Sequence, residues 1–156
     1  MHICGDYKVT LNKYAHVDQY PLPIVEDLFA TLVGGVKFSK LDTAHAYHQV
    51  LIDDDGKQYM TINNYQGLFI CNRLAFEVSS ARAILQRVIE NILAGIPHTV
   101  VYLDDMLVAG GIEDVHKTNA KEVLWRLAEA GLRLKKEKCN FGVEAVEYLA
   151  HLITKP

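Results

Sequence analysis

Apolar residues recur at helical spacing in three segments of the chain, residues 24–32, 81–93 and 113–130. Gly34-Gly35 follows the first segment and is typical of a helix end. Ser79 or Ser80 precedes the second segment and supplies a helix-capping hydroxyl. The pattern therefore predicts three amphipathic helices.

Shorter apolar runs between these helices predict β-strands. Asp53-Asp54-Asp55-Gly56 interrupts them with residues typical of a turn. The predicted strands cover residues 37–42, 47–52, 59–63, 67–72, 99–103, 106–109, 131–134 and 146–153. Helices interleaved with hairpins indicate an α+β fold, an antiparallel sheet with helices packed on one face.

Composition narrows the class of protein. The chain has 156 residues, half of them apolar, which is enough for one ordinary domain core. No apolar run approaches the roughly 18–20 residues that span a bilayer, and the N-terminus lacks the basic and apolar regions of a secretory signal. We therefore expect an intracellular protein of the cytoplasm or nucleus, without membrane contact.

Cysteine and histidine spacing offers no metal site. The three cysteines are odd in number and far apart, with no C-x-x-C pair, which favours reduced thiols and excludes a zinc cluster. His45 and His48 are three residues apart, but no helix signal surrounds them.

The charge of the chain neither indicates nor excludes binding of nucleic acid. The net charge is −3, whereas a protein that follows a phosphate backbone normally carries a basic track. Locally, Arg133, Lys135, Lys136 and Lys138 place four positive charges within six residues. A solvated charged turn explains that run equally well.

Two adjacent acids, Asp104 and Asp105, interrupt an otherwise apolar run of residues 100–108. A plain hairpin tip is one explanation. However, a tight hairpin favours Asn-Gly or Asp-Gly, which supply positive φ. Two acids without a glycine repel each other, and a divalent cation would offset that repulsion.

A third acid stands in similar surroundings, because Phe38-Ser39-Lys40-Leu41-Asp42 is a predicted strand that ends in a carboxylate. Three carboxylates on neighbouring strands can hold two Mg²⁺ ions through oxygen ligands. Two such ions roughly 4 Å apart can activate a 3′-hydroxyl and stabilise a leaving pyrophosphate. Asp42, Asp104 and Asp105 are therefore candidate metal ligands for phosphoryl transfer.

The motifs resemble the reverse transcriptases of gypsy-type LTR retrotransposons from end to end. Phe38-Ser39-Lys40-Leu41-Asp42, with Ala46-Tyr47-His48-Gln49, resembles the first catalytic motif of that family, and Tyr102-Leu103-Asp104-Asp105 resembles the second. The other matching segments are Ile3-Cys4-Gly5-Asp6-Tyr7-Lys8 (a fingers strand), Tyr20-Pro21-Leu22-Pro23 (the segment after it) and Val146-Glu147-Tyr148-Leu149 (the primer-gripping hairpin).

The resemblance implies a role for each site residue. Asp42, Asp104 and Asp105 would bind two Mg²⁺ ions, with Mn²⁺ as a substitute. Tyr47 would lie under the incoming sugar and exclude a 2′-hydroxyl, although a packed strand aromatic fits the same residue. Lys138 would protonate the leaving pyrophosphate, with an exposed loop lysine as the alternative. The remaining candidate substrate-binding residues are Phe76, Gln86 and Tyr102.

The resemblance also implies partners and a domain plan. The partners would be an RNA or DNA template with its primer, and deoxynucleoside triphosphates; oligomeric state is left open. We expect a single truncated domain with partial fingers at about residues 1–35 and 53–80, the palm in the remainder, and neither thumb nor RNase H.

Four residues depart from the family pattern near the expected nucleotide pocket and the hairpin. Ala75 and Arg82 stand where the family has proline, and Glu77 and Ala150 stand where it has glycine. Glu77 adds a side chain and a negative charge where a triphosphate would bind.

Three hypotheses of function follow. The first is an RNA-directed DNA polymerase fragment that uses two metal ions. The second is an inactive or impaired remnant of that fold, which acts at most as a nucleic-acid or protein-binding module. The third, a metal-dependent phosphohydrolase, is disfavoured mainly by the ordered match to the family motifs, and also because the sequence shows no candidate histidine or lysine base beside the acids.

Overall fold

The structure, a computed structural model, describes residues 5–16 and 19–156. The chain divides into two compact units. The first contains residues 1–20 and 45–85, and the second contains residues 21–44 and 86–156. These bounds assign residues 21–35 to the same unit as the three candidate acids.

A four-stranded antiparallel sheet forms the centre of the second unit. Its strands, in spatial order, are β4 (Thr99–Tyr102), β5 (Asp105–Gly110), β1 (Lys37–Asp42) and β6 (Asn140–Val143). Strand β5 is apolar apart from its ends, as expected for a strand that is covered on both faces, whereas β1 carries Ser39 and Lys40 between its apolar residues Phe38 and Leu41. The predicted strand at residues 37–42 is confirmed, and those at 99–103 and 106–109 are confirmed within one or two residues.

Helices cover both faces of this sheet. Helix α2 (Val25–Leu32) packs with Phe38 in a buried apolar cluster. The next residue, Ser39, contacts His116 of helix α6 (Glu113–Glu129). Because successive side chains of a strand point to opposite faces, α2 and α6 lie on opposite sides. The α+β class with antiparallel sheets is confirmed, but the helices are not confined to one face.

A second antiparallel pair, β7 (Ala145–Tyr148) and β8 (His151–Thr154), follows β6. Val146 and Tyr148 join the same buried cluster as α2. The connecting residues Leu149 and Ala150 have φ of 50° and 60°. This is the left-handed region, which favours glycine because a Cβ approaches the following carbonyl there.

Replacing Ala150 with glycine is therefore expected to raise the free energy of unfolding by about 0.5–1 kcal/mol. The matched control is Ala145→Gly in β7, where extended backbone gives glycine no advantage, and we expect a loss of similar size. Urea unfolding of both variants gives the sign of each change in the free energy of unfolding. A loss in both variants would contradict the strained turn.

The first unit contains short elements. Its helices are α1 (Leu11–Tyr14), α3 (Ala46–Gln49), α4 (Asp54–Lys57) and the first five residues of α5 (Ala81–Leu93); its strands are β2 (Thr61–Asn64) and β3 (Gly67–Ile70). The predicted hairpin and the predicted helix at residues 81–93 are confirmed. Asp53 caps α4, because its Oδ1 accepts a hydrogen bond from the Gly56 N–H at 2.7 Å.

Two predicted strands are absent, and a third, at residues 146–153, is divided into two strands by the turn at Leu149 and Ala150. Residues 47–52 were expected to be extended, but His45 has a φ of 49° and α3 follows it as one helical turn, so only Leu51 bridges to Arg73. Residues 131–134 form only the bridge between Thr43 and Leu134. Gly131, with a φ of 74°, ends α6 and turns the chain too sharply for a strand.

The segment that resembles a fingers strand lies partly outside the described residues. Residues 3 and 4 are not described, and residues 5–8 form no strand. Within the described part of the chain, no helix is both long enough and apolar enough to cross a membrane.

Candidate active site

Asp42 and Asp105 face each other across neighbouring strands. They are direct partners in the register of β1 and β5. Asp104 lies beside them in the two-residue turn between Tyr102 and Asp105, which are themselves partners across β4 and β5. The sheet therefore brings the three predicted acids to one edge.

The backbone carbonyl of each acid is held by a different hydrogen bond. The Lys135 N–H donates to the Asp42 carbonyl at 2.8 Å, and the Thr43 N–H donates to the Asp104 carbonyl at 3.2 Å. The buried Tyr148 hydroxyl donates to the Asp105 carbonyl at 3.2 Å. These bonds hold the main chain of the acids and use none of their carboxylate oxygens.

Gln86 holds the turn itself. Its side chain is completely buried. Oε1 accepts a hydrogen bond from the Leu103 N–H at 2.6 Å, and Nε2 donates to the Val101 carbonyl at 2.9 Å. Leu103 has a φ of 55°, a conformation that leucine rarely adopts. Gln86 thus stabilises a strained turn through both ends of its amide. Its buried position suits support of the acids rather than contact with a substrate.

Two lysine ammonium groups lie near the carboxylates. Lys138 Nζ is 3.5 Å from Asp42 Oδ2, and Lys40 Nζ is 4.0 Å from Asp105 Oδ1. Burial raises the pKa of Asp105, Lys40 opposes that rise, and the charges of Asp104 and Asp42 add to it. A site that disfavours its own negative charge in this way gains from a bound cation.

The donor set fits a hard divalent cation in its chemistry, because paired carboxylate oxygens are the ligands that Mg²⁺ prefers. Across the described residues, however, no three histidine, cysteine, aspartate or glutamate side chains converge closely enough to hold one ion. Joint binding by Asp42, Asp104 and Asp105 would require their side chains to turn toward one another.

The basic run is attached to the same edge. The bridge between Thr43 and Leu134 and the hydrogen bond from the Ala44 N–H to the Arg133 carbonyl (2.9 Å) extend the β1 direction past Asp42. A 3₁₀ turn at Lys136–Lys138 follows and carries Lys138 to Asp42. Backbone pairing, rather than side-chain charge, brings this segment to the acids.

Tyr102 and the two aromatic candidates of the first unit have different surroundings. Tyr102 is half-buried and packs against the apolar cluster of the second unit. Within the first unit, Tyr47 is half-buried and residue Phe76 is 55% exposed, with their ring centroids 6.5 Å apart. The carbonyl of Glu77 accepts a hydrogen bond from Asn12 Nδ2 at 2.8 Å.

A buried histidine supports the strand that carries Asp42. His116 Nε2 lies 2.9 Å from the Ser39 hydroxyl, which also accepts a hydrogen bond from the Gly142 N–H at 3.1 Å. Burial lowers the pKa of His116; Glu113 raises it, and Lys37 and Lys117 lower it. The contacts of His116 and Gly142 with the Ser39 hydroxyl thus join α6, β1 and β6.

The lowered pKa of His116 predicts a pH-dependent stability. Below the ordinary histidine pKa of about 6.5 the unfolded chain binds this proton and the folded chain resists it, so stability falls as pH falls. The expected slope contribution is at most about 1.4 kcal/mol per pH unit. Urea unfolding at pH 7.5 and 5.5 should show a larger loss for the natural protein than for His116→Gln. Equal losses would contradict the assignment.

Three supporting residues are not among the predicted site residues: Lys40, Thr43 and Tyr148. A signal for Lys40 exists in the sequence, since a period of two places it on the same face of β1 as Asp42. Thr43 and Tyr148 act through contacts with distant residues, for which the local pattern carries no signal.

Comparison of the sequence with known proteins gives consistent matches. The family model described as reverse transcriptase (RNA-dependent DNA polymerase) matches residues 3–153. The chain is 34% identical over 152 residues to the transposon Tf2-3 polyprotein of Schizosaccharomyces pombe, and 31% identical over 150 residues to the uncharacterized protein K02A2.6 of Caenorhabditis elegans. These matches cover 96% of this chain but only 11% and 12% of the two relatives.

Solved structures share the fold. A foamy viral protease–reverse transcriptase in complex with double-stranded DNA superposes with a TM-score of 0.87 at 21% identity, over 96% of this chain and 26% of that one. The same viral protein in complex with an RNA/DNA hybrid gives a TM-score of 0.86. At this identity the likeness establishes the fold alone.

Proposed function

Because this chain belongs to the reverse transcriptase family, we propose that it is the fingers and palm part of an RNA-directed DNA polymerase. Its reaction would add deoxynucleotides to the 3′-hydroxyl of a primer. The observation that carries the proposal is the direct pairing of Asp42 with Asp105 across β1 and β5, with Asp104 in the adjoining turn. The second compact unit would be the palm, and the first would be the fingers.

Proteins of this family typically use divalent metal ions, and Asp42, Asp104 and Asp105 would hold two Mg²⁺ or Mn²⁺ ions here. When bound, such ions activate the attacking hydroxyl and stabilise the leaving pyrophosphate. The residues of the chain contribute orientation and protons. Lys138 would donate a proton to the pyrophosphate, since its ammonium lies 3.5 Å from Asp42.

The substrates follow from the same family assignment. The matched viral structures hold double-stranded DNA or an RNA/DNA hybrid, which supports a template–primer partner for this chain. Tyr47 would select deoxynucleotides by excluding a 2′-hydroxyl, and Phe76 and Tyr102 would help to form the nucleotide pocket. The transposon polyproteins among the relatives support a gypsy-type LTR retrotransposon as the source.

Primer extension tests the proposal. The protein is incubated with a primed RNA template, deoxynucleotides and Mg²⁺ or Mn²⁺, and Asp104→Asn serves as the control. Asp104→Asn keeps the size of the side chain and removes its charge. We expect incorporation by the natural protein and a loss of incorporation in the variant. Equal incorporation by both proteins would refute the polymerase function.

The departures at Glu77 and Arg82 favour an impaired remnant as the second candidate function. The double variant Glu77→Gly with Arg82→Pro restores the family residues, and Arg82 is the second residue of α5, where proline is tolerated. Synthesis gained only by this variant would assign the impairment to the pocket. Absence of synthesis by both proteins would favour the inactive remnant.

A further inference from the structure

The Lys40 side chain lies between the carboxylate site and the hairpin β7–β8. Its ammonium is 4.0 Å from Asp105 Oδ1 and donates a hydrogen bond to the Glu147 carbonyl at 3.3 Å. The side chain is only 23% exposed. One charged group therefore contacts both a candidate metal ligand and the backbone of β7.

A neighbouring residue makes the second connection between these two parts. Tyr148, which follows Glu147 in β7, donates its hydroxyl to the Asp105 carbonyl at 3.2 Å and is completely buried. This bond joins a neutral hydroxyl to the main chain, so it responds weakly to charge at the carboxylate. The contact of Lys40 with Asp105 is electrostatic, so it responds strongly.

We infer that Lys40 couples cation binding at the carboxylates to the attachment of the hairpin β7–β8. The inference rests on the proposed function for the presence of a cation site. Lys40 and a divalent cation compete for the same carboxylate, Asp105. A bound cation repels the ammonium from both Asp105 and the nearby Glu147 carbonyl, and the hairpin loses one of its two connections to the acids.

Thermodynamic linkage makes this coupling reciprocal. If a cation weakens the Lys40 contacts, then Lys40 must weaken cation binding by the same factor. Lys40 is consequently a positioning residue that lowers the affinity of the carboxylates for a metal ion by a measurable factor. A residue that merely oriented Asp105 would have the opposite effect, because its removal would weaken metal binding.

Lys37 provides a matched control on the same strand. It also joins β1 to the start of the hairpin region, with its Nζ 3.2 Å from Glu144 Oε1. It lies about 10 Å from Lys40 along the strand, beyond the screening length of roughly 8 Å at physiological salt. Lys37→Met also removes one positive charge and a similar surface contact, but Lys37 does not contact the three candidate acids.

Mn²⁺ titration followed by electron paramagnetic resonance tests the inference on the whole chain without nucleic acid. Lys40→Met is expected to bind Mn²⁺ roughly tenfold more tightly than the natural protein, since it loses a positive charge near the site. Lys37→Met and Lys40→Arg, which keeps the charge at position 40, are expected to stay within about twofold. Unchanged or weaker binding by Lys40→Met overturns the inference.

Amide hydrogen exchange of the natural protein needs no variant and remains decisive if Lys40→Met fails to fold. Mn²⁺ is expected to speed exchange in residues 145–154 severalfold, and unchanged or slower exchange overturns the coupling.

The two proposals fail in different ways. Absence of Mn²⁺ binding by the natural protein refutes the cation site and the coupling together. Binding that Asp104→Asn weakens but Lys40→Met fails to strengthen refutes the coupling alone.

Discussion

Replacing Gln86 with leucine is expected to lower the free energy of unfolding by about 2–4 kcal/mol and to slow the proposed DNA synthesis at least about 100-fold. Leucine is similar in volume but provides neither the acceptor for the Leu103 N–H nor the donor for the Val101 carbonyl. Both backbone groups would then lose the partner that Gln86 provides. The left-handed turn at Leu103 would lose its support, and the adjacent acids would move with it.

Two different measurements separate the effect on stability from the effect on synthesis. Urea unfolding reports the loss of stability, and primer extension well below the unfolding midpoint reports the loss of positioning. Glu90→Gln is the control, because it preserves an oxygen acceptor for Gln86 Nε2, which lies 2.6 Å from Glu90 Oε1. We expect this control to stay within about 1 kcal/mol and to retain synthesis. Full synthesis by Gln86→Leu would show that the turn holds its shape without the amide.

Replacing Gly110 with alanine is expected to cost about 3 kcal/mol or more of stability. A Cβ at this position would lie 2.5 Å from the His116 nitrogen and 2.6 Å from its Cα. These are backbone atoms of α6, which cannot swing aside as a flexible side chain can. The helix would have to move away from β5, and this movement would disrupt the buried contact between His116 and Ser39.

The next residue supplies the control for this substitution. A Cβ on Gly111 would meet only the Gly34 carbonyl oxygen, at 3.3 Å. We therefore expect Gly111→Ala to cost less than about 1 kcal/mol. Thermal and urea unfolding of the two variants give the comparison directly. A similar small loss in both would mean that α6 adjusts its position over the sheet at little cost.

The acids of the site could be predicted because their signal is local. Asp104 and Asp105 stand in an apolar run, and Asp42 ends another, so burial and charge conflict within a few residues of chain. Strands β1, β4 and β5 of the central sheet follow from the same local pattern of apolar residues, whereas the fourth strand, β6 (Asn140–Val143), was not predicted. The register that pairs Asp42 with Asp105 depends on contacts between distant segments, and the pattern along the chain does not specify it.

The errors in the predicted elements share a physical cause. Residues 47–52 have the composition of a strand, yet the left-handed backbone at His45 starts a helical turn instead. Residues 131–134 are apolar enough for a strand, but Gly131 reverses the chain and only Leu134 reaches a partner. In both segments a single backbone conformation overrides the preference of the side chains.

Gln86 illustrates the division between what the sequence determines and what the tertiary structure decides. Its position on an amphipathic helix could be predicted, because helical periodicity depends only on neighbouring residues. Its contacts with Val101 and Leu103 depend on how α5 packs against the sheet, which a one-dimensional pattern does not contain. The sequence by itself determined the three long helices, three strands of the central sheet, the acids and the family. The fold decided which buried amide, lysine and tyrosine hold those acids, because those contacts join residues far apart in the chain.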